Sequence, residues 1–176
     1  MNQTGEFEGF MRSYQDMVYA TAVRLLGNEA EAEDVAQEVF LRAYDRFNDL
    51  KDSPAVGGWL KTVTRNLCLN HLFRYQARWK FFSDFLSSYE DESESVEWAG
   101  KEDVEKDFET EERRQLLDQA LRELPTAQRV PLVLFHVEDL SYEQIAQELR
   151  VSVSKVKTDM FRGRQALKKI LVPQLS

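Results

Sequence analysis

Apolar residues recur at intervals of three and four along most of this chain, the period of a helix with one buried face. Phe7, Phe10, Met11, Tyr14, Met17, Val18, Thr21 and Leu25 form the first such stripe, and Gly27-Asn28 ends it. A second helix is expected from about Glu29, with Ala32, Val35, Ala36, Val39, Ala43 and Phe47 as its apolar stripe. Its first turn is rich in Glu and Asp, which the helix dipole favours. Its opposite face carries Glu33, Asp34, Gln37, Glu38 and Asp45. Residues 48–53 read as a polar loop. Ser53-Pro54 suits an N-cap and a first helical position. It opens a long third helix over 54–82, with Trp59, Leu60, Val63, Leu67 and Leu72 as core candidates; Gly57-Gly58 weakens its first turns.

The pattern lapses over 83–112, where Ser, Glu and Asp dominate and apolar residues such as Phe85, Leu86, Tyr89 and Trp98 are isolated. Mutual repulsion and little apolar area predict a flexible linker. Periodicity returns with Leu116, Leu117, Ala120, Leu121 and Leu124, in a helix stopped by Pro125. Thr126 is expected to cap the next, which buries Val130, Leu132, Val133, Leu134 and Val137. Ser141 and Gln144 have capping-box spacing and open a short helix with Ile145, Ala146 and Leu149 inside. Ser152 or Ser154 then starts a last helix carrying Val156, Met160, Leu167 and Ile170. The fold class predicted is all-α.

Composition narrows this further. One cysteine, Cys68, excludes an internal disulfide and a multi-cysteine zinc site; placed between Leu67 and Leu69, it reads as a buried structural thiol. His71 and His136 stand outside any ligand-spaced motif, so no metal, cofactor or catalytic residue is expected. The N-terminus is acidic, unlike a signal peptide. The longest apolar stretch, 130–137, is far short of the roughly 20 residues a membrane span needs. A soluble cytoplasmic protein without membrane insertion is the expectation.

The net charge of −8 hides a polarised distribution. Residues 83–112 hold thirteen acidic groups and two basic ones. Residues 51–82 hold six basic groups against Asp52 alone, and residues 150–169 hold seven against Asp159 alone. Two basic patches on an acidic chain suggest two contacts with a polyanion. Residues 141–149 and 151–170 form a helix-turn-helix pattern in which the small Ala146 lets the helices approach. The second helix projects Ser152, Ser154, Lys155, Lys157, Thr158, Asp159, Arg162 and Arg164, a set suited to base edges and phosphates in a major groove. Over 59–80, Trp59, Phe73, Tyr75 and Trp79 are interleaved with Lys61, Arg65, Arg74, Arg78 and Lys80. Cations can hold phosphate there while aromatic faces stack unpaired bases; Trp59 and Phe73 are equally consistent with core positions. Asp34, Gln37, Glu38 and Leu41 lie at helical spacings on one side of the second helix, either as a solvated face or as a dock for a basic partner.

These segments together resemble the bacterial sigma-70 class of RNA polymerase sigma factors, in the compact extracytoplasmic-function (ECF) group. The resemblance spans roughly residues 5–80 and 110–172. It implies a region 2 helical bundle over 1–82, an acidic linker over 83–112 and a region 4 helix-turn-helix bundle over 113–176. Residues 32–47 resemble the part that docks on the polymerase core, which implies core contact through Asp34, Gln37, Glu38 and Leu41. Trp59-Leu60, Arg65-Asn66 and Asn70-His71-Leu72 resemble the part that engages the minus-10 element. That implies minus-10 contact through Lys51, Lys61, Arg65, Asn66, Asn70, His71, Phe73, Arg74 and Arg78, with the 48–56 loop helping to capture a flipped base. Leu124-Pro125 and the residues from Ser141 to Arg164 resemble the part that reads minus-35 duplex, which implies the eight recognition-helix residues above. The implied protein is not an enzyme. Its partners would be the polymerase core, promoter DNA and an anti-sigma factor. Two departures stand out: Arg150 replaces the usual turn glycine, and Asp159 replaces a residue that is often basic. Asp159 is expected either to read a cytosine or to cap a neighbouring arginine such as Arg162. The competing reading is a stand-alone helix-turn-helix regulator with an N-terminal effector or dimerisation domain. A hydrolase or carboxylate-metal enzyme is disfavoured, because the acids over 29–38 lack His partners.

Overall fold

A computed structural model describes residues 3–74 and 111–175, the side chains of the last two excepted. These residues form helices and connecting turns, with no strand among them. They fall into two compact units, one holding the helices up to Phe73 and the other the helices from Glu111 onward.

The N-terminal unit is built from α1 (Gln3–Leu26), α2 (Glu29–Asp45), α3 (Phe47–Leu50) and α4 (Val56–Arg74). Gly27 ends α1 at φ 69°, donating its N–H to the Val23 carbonyl at 2.7 Å. A left-handed residue is readily supplied there by glycine. Asn28 follows at once as the N-cap of α2, its side-chain oxygen accepting the Glu31 N–H at 2.9 Å. So short a link makes α1 and α2 neighbours. Ala22, Ala32 and Ala43 are fully buried, and such small side chains let helix backbones approach. Val18, Leu25, Val35 and Val39 fill the space around them.

Residues 48–53 are not simply a polar loop. Phe47 and Leu50 are both buried at i, i+3 spacing, and the chain makes the helical turn α3 to place them there. Polar Asn48 and Asp49 mask this apolar pair in the sequence. The third predicted helix starts two residues later than expected. Ser53 Oγ accepts the Ala55 N–H at 3.2 Å and so caps a turn, and α4 begins at Val56. Leu60 and Leu67 are core as expected, whereas Trp59, Val63 and Leu72 are half-buried. Thr64 is fully buried and satisfied by donating to the Leu60 carbonyl at 2.6 Å, and Cys68 is a buried free thiol. The expected end of this helix at 82, and the linker as far as residue 110, lie outside the described residues.

The C-terminal unit contains α5 (Glu111–Glu123), α6 (Thr126–His136), α7 (Tyr142–Leu149) and α8 (Val153–Leu175). Thr126 does not cap α6 as expected; it is the first helical residue, and Pro125 takes the cap position without a side-chain bond. The α5–α6 corner is closed by Arg129 instead. Its buried guanidinium donates to the Leu124 carbonyl at 3.0 Å and lies 3.4 Å from Thr126 Oγ1. It thereby satisfies a carbonyl at the end of α5. The α7 capping box forms as predicted, with Gln144 N–H to Ser141 Oγ at 3.1 Å and Ser141 N–H to Gln144 Oε1 at 2.9 Å. Between the two predicted starts of the last helix, Ser152 is the one used: its Oγ accepts the Lys155 N–H at 3.0 Å. Val156, Met160, Leu167 and Leu171 of α8 are buried, while Ile170 is half-buried. This helix packs against α5, α6 and α7.

Arg150, the residue that stands at the turn glycine position, adopts φ 59° and ψ 44°. The turn geometry therefore survives, and an L side chain bears the left-handed conformation at a cost of about 1–2 kcal/mol. Glycine removes that cost but gives the unfolded chain more freedom. Arg150→Gly is expected to stabilise the C-terminal unit by about 0.5–1 kcal/mol, read as a higher urea midpoint at unchanged slope.

Candidate functional site

Three surfaces carry the predicted residues. On α2, Asp34, Gln37, Glu38 and Leu41 are all exposed. Leu41 is 67% exposed and Tyr44 44%, an unusual exposure for large apolar side chains on a helix whose other side is core. Both line an apolar groove of about 650 Å³ between α1 and α2, together with Phe7, Met11, Tyr19 and Phe40. Gln37 lines it as well, as do the acidic residues Asp16 and Glu33. Asp34 and Glu38 do not line the groove. Glu38 pairs with Arg42 at 3.1 Å, both about half exposed, so the pair contributes little to stability. The α1 half of this surface is absent from the sequence prediction, because its periodic aromatics read as core. The available signal is length: the α1 stripe starts at Phe7, well before its deeply buried part begins at Val18.

The second surface is α4. Asn66, Asn70 and Arg74 are exposed in one row at i, i+4, i+8. At 100° per residue, Lys61 and Arg65 lie on a different side of the helix. His71 is turned toward α2, its Nε2 3.2 Å from a Glu31 carboxylate oxygen. Lys51, exposed before α4, lies 3.9 Å from Glu6 of α1. Phe73 is half-buried, and Arg78 lies outside the described residues. The eight described ones are thus divided among separate faces, with two of them, Lys51 and His71, facing carboxylates of their own unit.

The third surface is α8, presented by the α7–α8 turn. Ser152, Ser154 and Lys157 are exposed; Lys155, Thr158, Asp159, Arg162 and Arg164 are half-buried. Thr158 Oγ1 donates to the Ser154 carbonyl at 3.0 Å. Lys157 Nζ lies 5.5 Å over the Tyr142 ring, which stacks flat on Phe135 at 4.8 Å. Arg164 is bonded to His136 Nε2 on α6, which turns it inward. Lys155 Nζ donates to Asp159 at 2.7 Å, so of the two expectations, a cytosine contact or a cap on an arginine such as Arg162, the second is met by a different cation, the lysine one turn back. The i, i+4 geometry decides this, since Lys155 and Asp159 share a face.

Burial raises the Asp159 carboxyl above its ordinary value of 3.8, and the Lys155 hydrogen bond and charge only partly oppose that. A carboxyl with a raised folded-state value binds more protons folded than unfolded between the two values. Its stabilising contribution is complete below the unfolded value and is lost as pH rises through the folded one. Asp159→Asn is therefore expected to flatten the stability-versus-pH curve just above pH 3.8, measured as urea midpoints of both proteins.

The chain matches the family model "Sigma-70 region 2" over residues 10–78 and "Sigma-70, region 4" over residues 114–167. It is 33% identical to the RNA polymerase sigma-H factor of Pseudomonas aeruginosa, over 96% of this chain and 88% of that protein. The chain belongs to the sigma-70 family, in its ECF group. Other relatives carry the group's name, among them the two that follow. The ECF sigma factor SigW of Bacillus subtilis is 29% identical, covering 94% of this chain and 88% of its own. The ECF sigma-E factor of Escherichia coli is 30% identical, over 88% and 80%. α2 and α4 fall in the region 2 match, which begins just after Phe7 of the groove, and α7 and α8 as far as residue 167 fall in the region 4 match. Sigma factors are, as a class, transcription initiation factors rather than enzymes. Among the described residues of this one, no helix is long and apolar enough to cross a membrane.

Proposed function

We propose that this sigma factor docks on core RNA polymerase through the α1–α2 groove and the Asp34, Gln37, Glu38 and Leu41 face. Its α4 residues then hold opened minus-10 DNA, and α8 reads minus-35 duplex. The observation that carries the reading is Leu41: a leucine two-thirds exposed over an apolar groove whose lining includes two acidic residues. Such a surface suits a helix presenting apolar and basic side chains. Asn66, Asn70 and Arg74 in one exposed row support contact with single-stranded bases and backbone on α4. The α8 N-terminus, with Ser154 and Lys157 exposed, supports duplex contact. Lys51, Lys61, Arg65, His71 and Phe73 complete the minus-10 set, with Arg78 beyond the described helix. On this reading the protein itself is not an enzyme, works in the cytoplasm, and is controlled by an anti-sigma partner covering the groove. The test is co-elution with purified bacterial core polymerase, beside an Asp34/Gln37/Glu38 triple-alanine variant. Binding lost in the variant supports the docking face. No binding by the intact, folded chain favours a stand-alone helix-turn-helix regulator.

A further inference from the structure

Two charges of opposite sign stand one turn apart on the helix assigned to duplex reading, and they are joined. Lys155 Nζ and Asp159 Oδ2 lie 2.7 Å apart, and their side chains are only 15% and 13% exposed. Lys157, between them on the helix, is not covered in this way. It is exposed, with its ammonium over the Tyr142 ring. We propose that Asp159 is a positioning residue that holds Lys155 off the DNA backbone, so that the leading turns of α8 meet duplex with Lys157 as their charge donor. The inference rests on the reading of α8 as the duplex-binding helix.

The physical case has three steps. A pair this covered is screened less than a surface pair, so it persists in salt that would dissolve an exposed one. Moving Lys155 out to a phosphate would leave a mostly buried carboxylate with no counter-charge, a costly arrangement. The raised Asp159 carboxyl value points the same way, because the site already penalises its charge and Lys155 is what offsets it. The consequence concerns selectivity. A lysine on phosphate adds affinity for every sequence alike. A lysine withheld lowers indiscriminate binding and leaves base-edge contacts to carry a larger share. Asp159 therefore acts on DNA through Lys155, without reading a base itself.

The test uses the full chain, its Asp159→Asn variant and the Lys155→Gln/Asp159→Asn double variant, with a mixed-sequence DNA duplex as probe. Affinity is measured across a salt series by fluorescence anisotropy. Freeing Lys155 is expected to steepen the slope of log K against log salt by about 0.9 in Asp159→Asn, the value for one added phosphate contact. The double variant is expected to return to the wild-type slope. In parallel, acylation of each lysine is followed by mass spectrometry. Lys155 should label several-fold more slowly than Lys157 in the wild type and at a similar rate in Asp159→Asn. Duplex should protect Lys157 in both proteins and Lys155 only in the variant. An unchanged slope in Asp159→Asn, or protection of Lys155 by duplex in the wild type, overturns the proposal. Equal labelling of Lys155 and Lys157 in the free wild type overturns it without any DNA. A duplex that protects neither lysine in any of the proteins overturns the reading of α8 on which it rests.

Discussion

Leu41→Lys is expected to weaken association with core polymerase by at least about tenfold while leaving the melting temperature of the sigma factor unchanged. Leu41 is 67% exposed in the free chain, so little folding energy depends on it, and surface changes of this kind usually stay within about 0.5 kcal/mol. Once a partner helix covers the groove, the same side chain becomes buried. Fully burying a leucine is worth about 1.5–3 kcal/mol, and 1.4 kcal/mol is a factor of ten in affinity. Lysine forfeits that gain and sets a positive charge against a partner argued to be basic. The measurement is a dissociation constant from labelled sigma titrated with core polymerase, alongside thermal melts. Affinity within twofold of wild type would move the dock off the α1–α2 groove.

The groove also shows where the sequence is legible and where it stops being so. Helix order and most helix starts follow from local rules: a left-handed Gly27, an Asn28 cap, a Ser141–Gln144 box. Each involves residues within four positions of each other, so the sequence displays the interaction directly. The exposure of Asp34, Gln37 and Glu38 was legible because they are polar on one side of a helix whose other side is apolar, and Leu41 follows from its spacing to them. Tyr19 stood outside the predicted stripe, and Phe7 and Met11 were not legible, because a large apolar residue lining a groove and one facing a core have the same period. What separates them is the neighbour across the gap, and that neighbour comes from another helix. The same limit applies to charge. Arg129, Arg164 and His71 look like surface cations or DNA contacts in one dimension. In the fold, Arg129 closes a helix corner, Arg164 meets His136 28 residues away, and His71 meets Glu31 of another helix. Asp159 was half legible: its departure from the family pattern marked it as informative, and the choice of Lys155 over Arg162 needed side-chain geometry.

Gly163→Val is expected to destabilise the C-terminal unit strongly, through the crossing of α8 over α6. A Cβ added at Gly163 would meet Leu132 Cδ1 at 2.6 Å and both Cβ and carbonyl oxygen of Gln128 at 3.3 Å. The leucine tip can rotate away, but the Gln128 backbone is fixed in α6 and cannot. Alanine at this position is expected to cost about 1–3 kcal/mol, as overpacked cores do, and the two extra methyls of valine place it at or beyond the upper end. In a unit of this size each kcal/mol lowers the melting temperature by about 4–8 °C. A cycle with Leu132 separates contact from propensity. Leu132→Ala alone removes a buried leucine, at about 2–5 kcal/mol. With Gly163→Ala it also removes the atom that the new Cβ meets first, so the double variant should lose less than the sum of the singles. The Gln128 backbone contact keeps the rescue partial. Urea melts of all four proteins measure the coupling. Strict additivity would mean that α8 is not held against α6 at this point. Coupling of the expected sign ties the placement of Arg162 and Arg164, which flank the glycine, to the α6 surface beneath them.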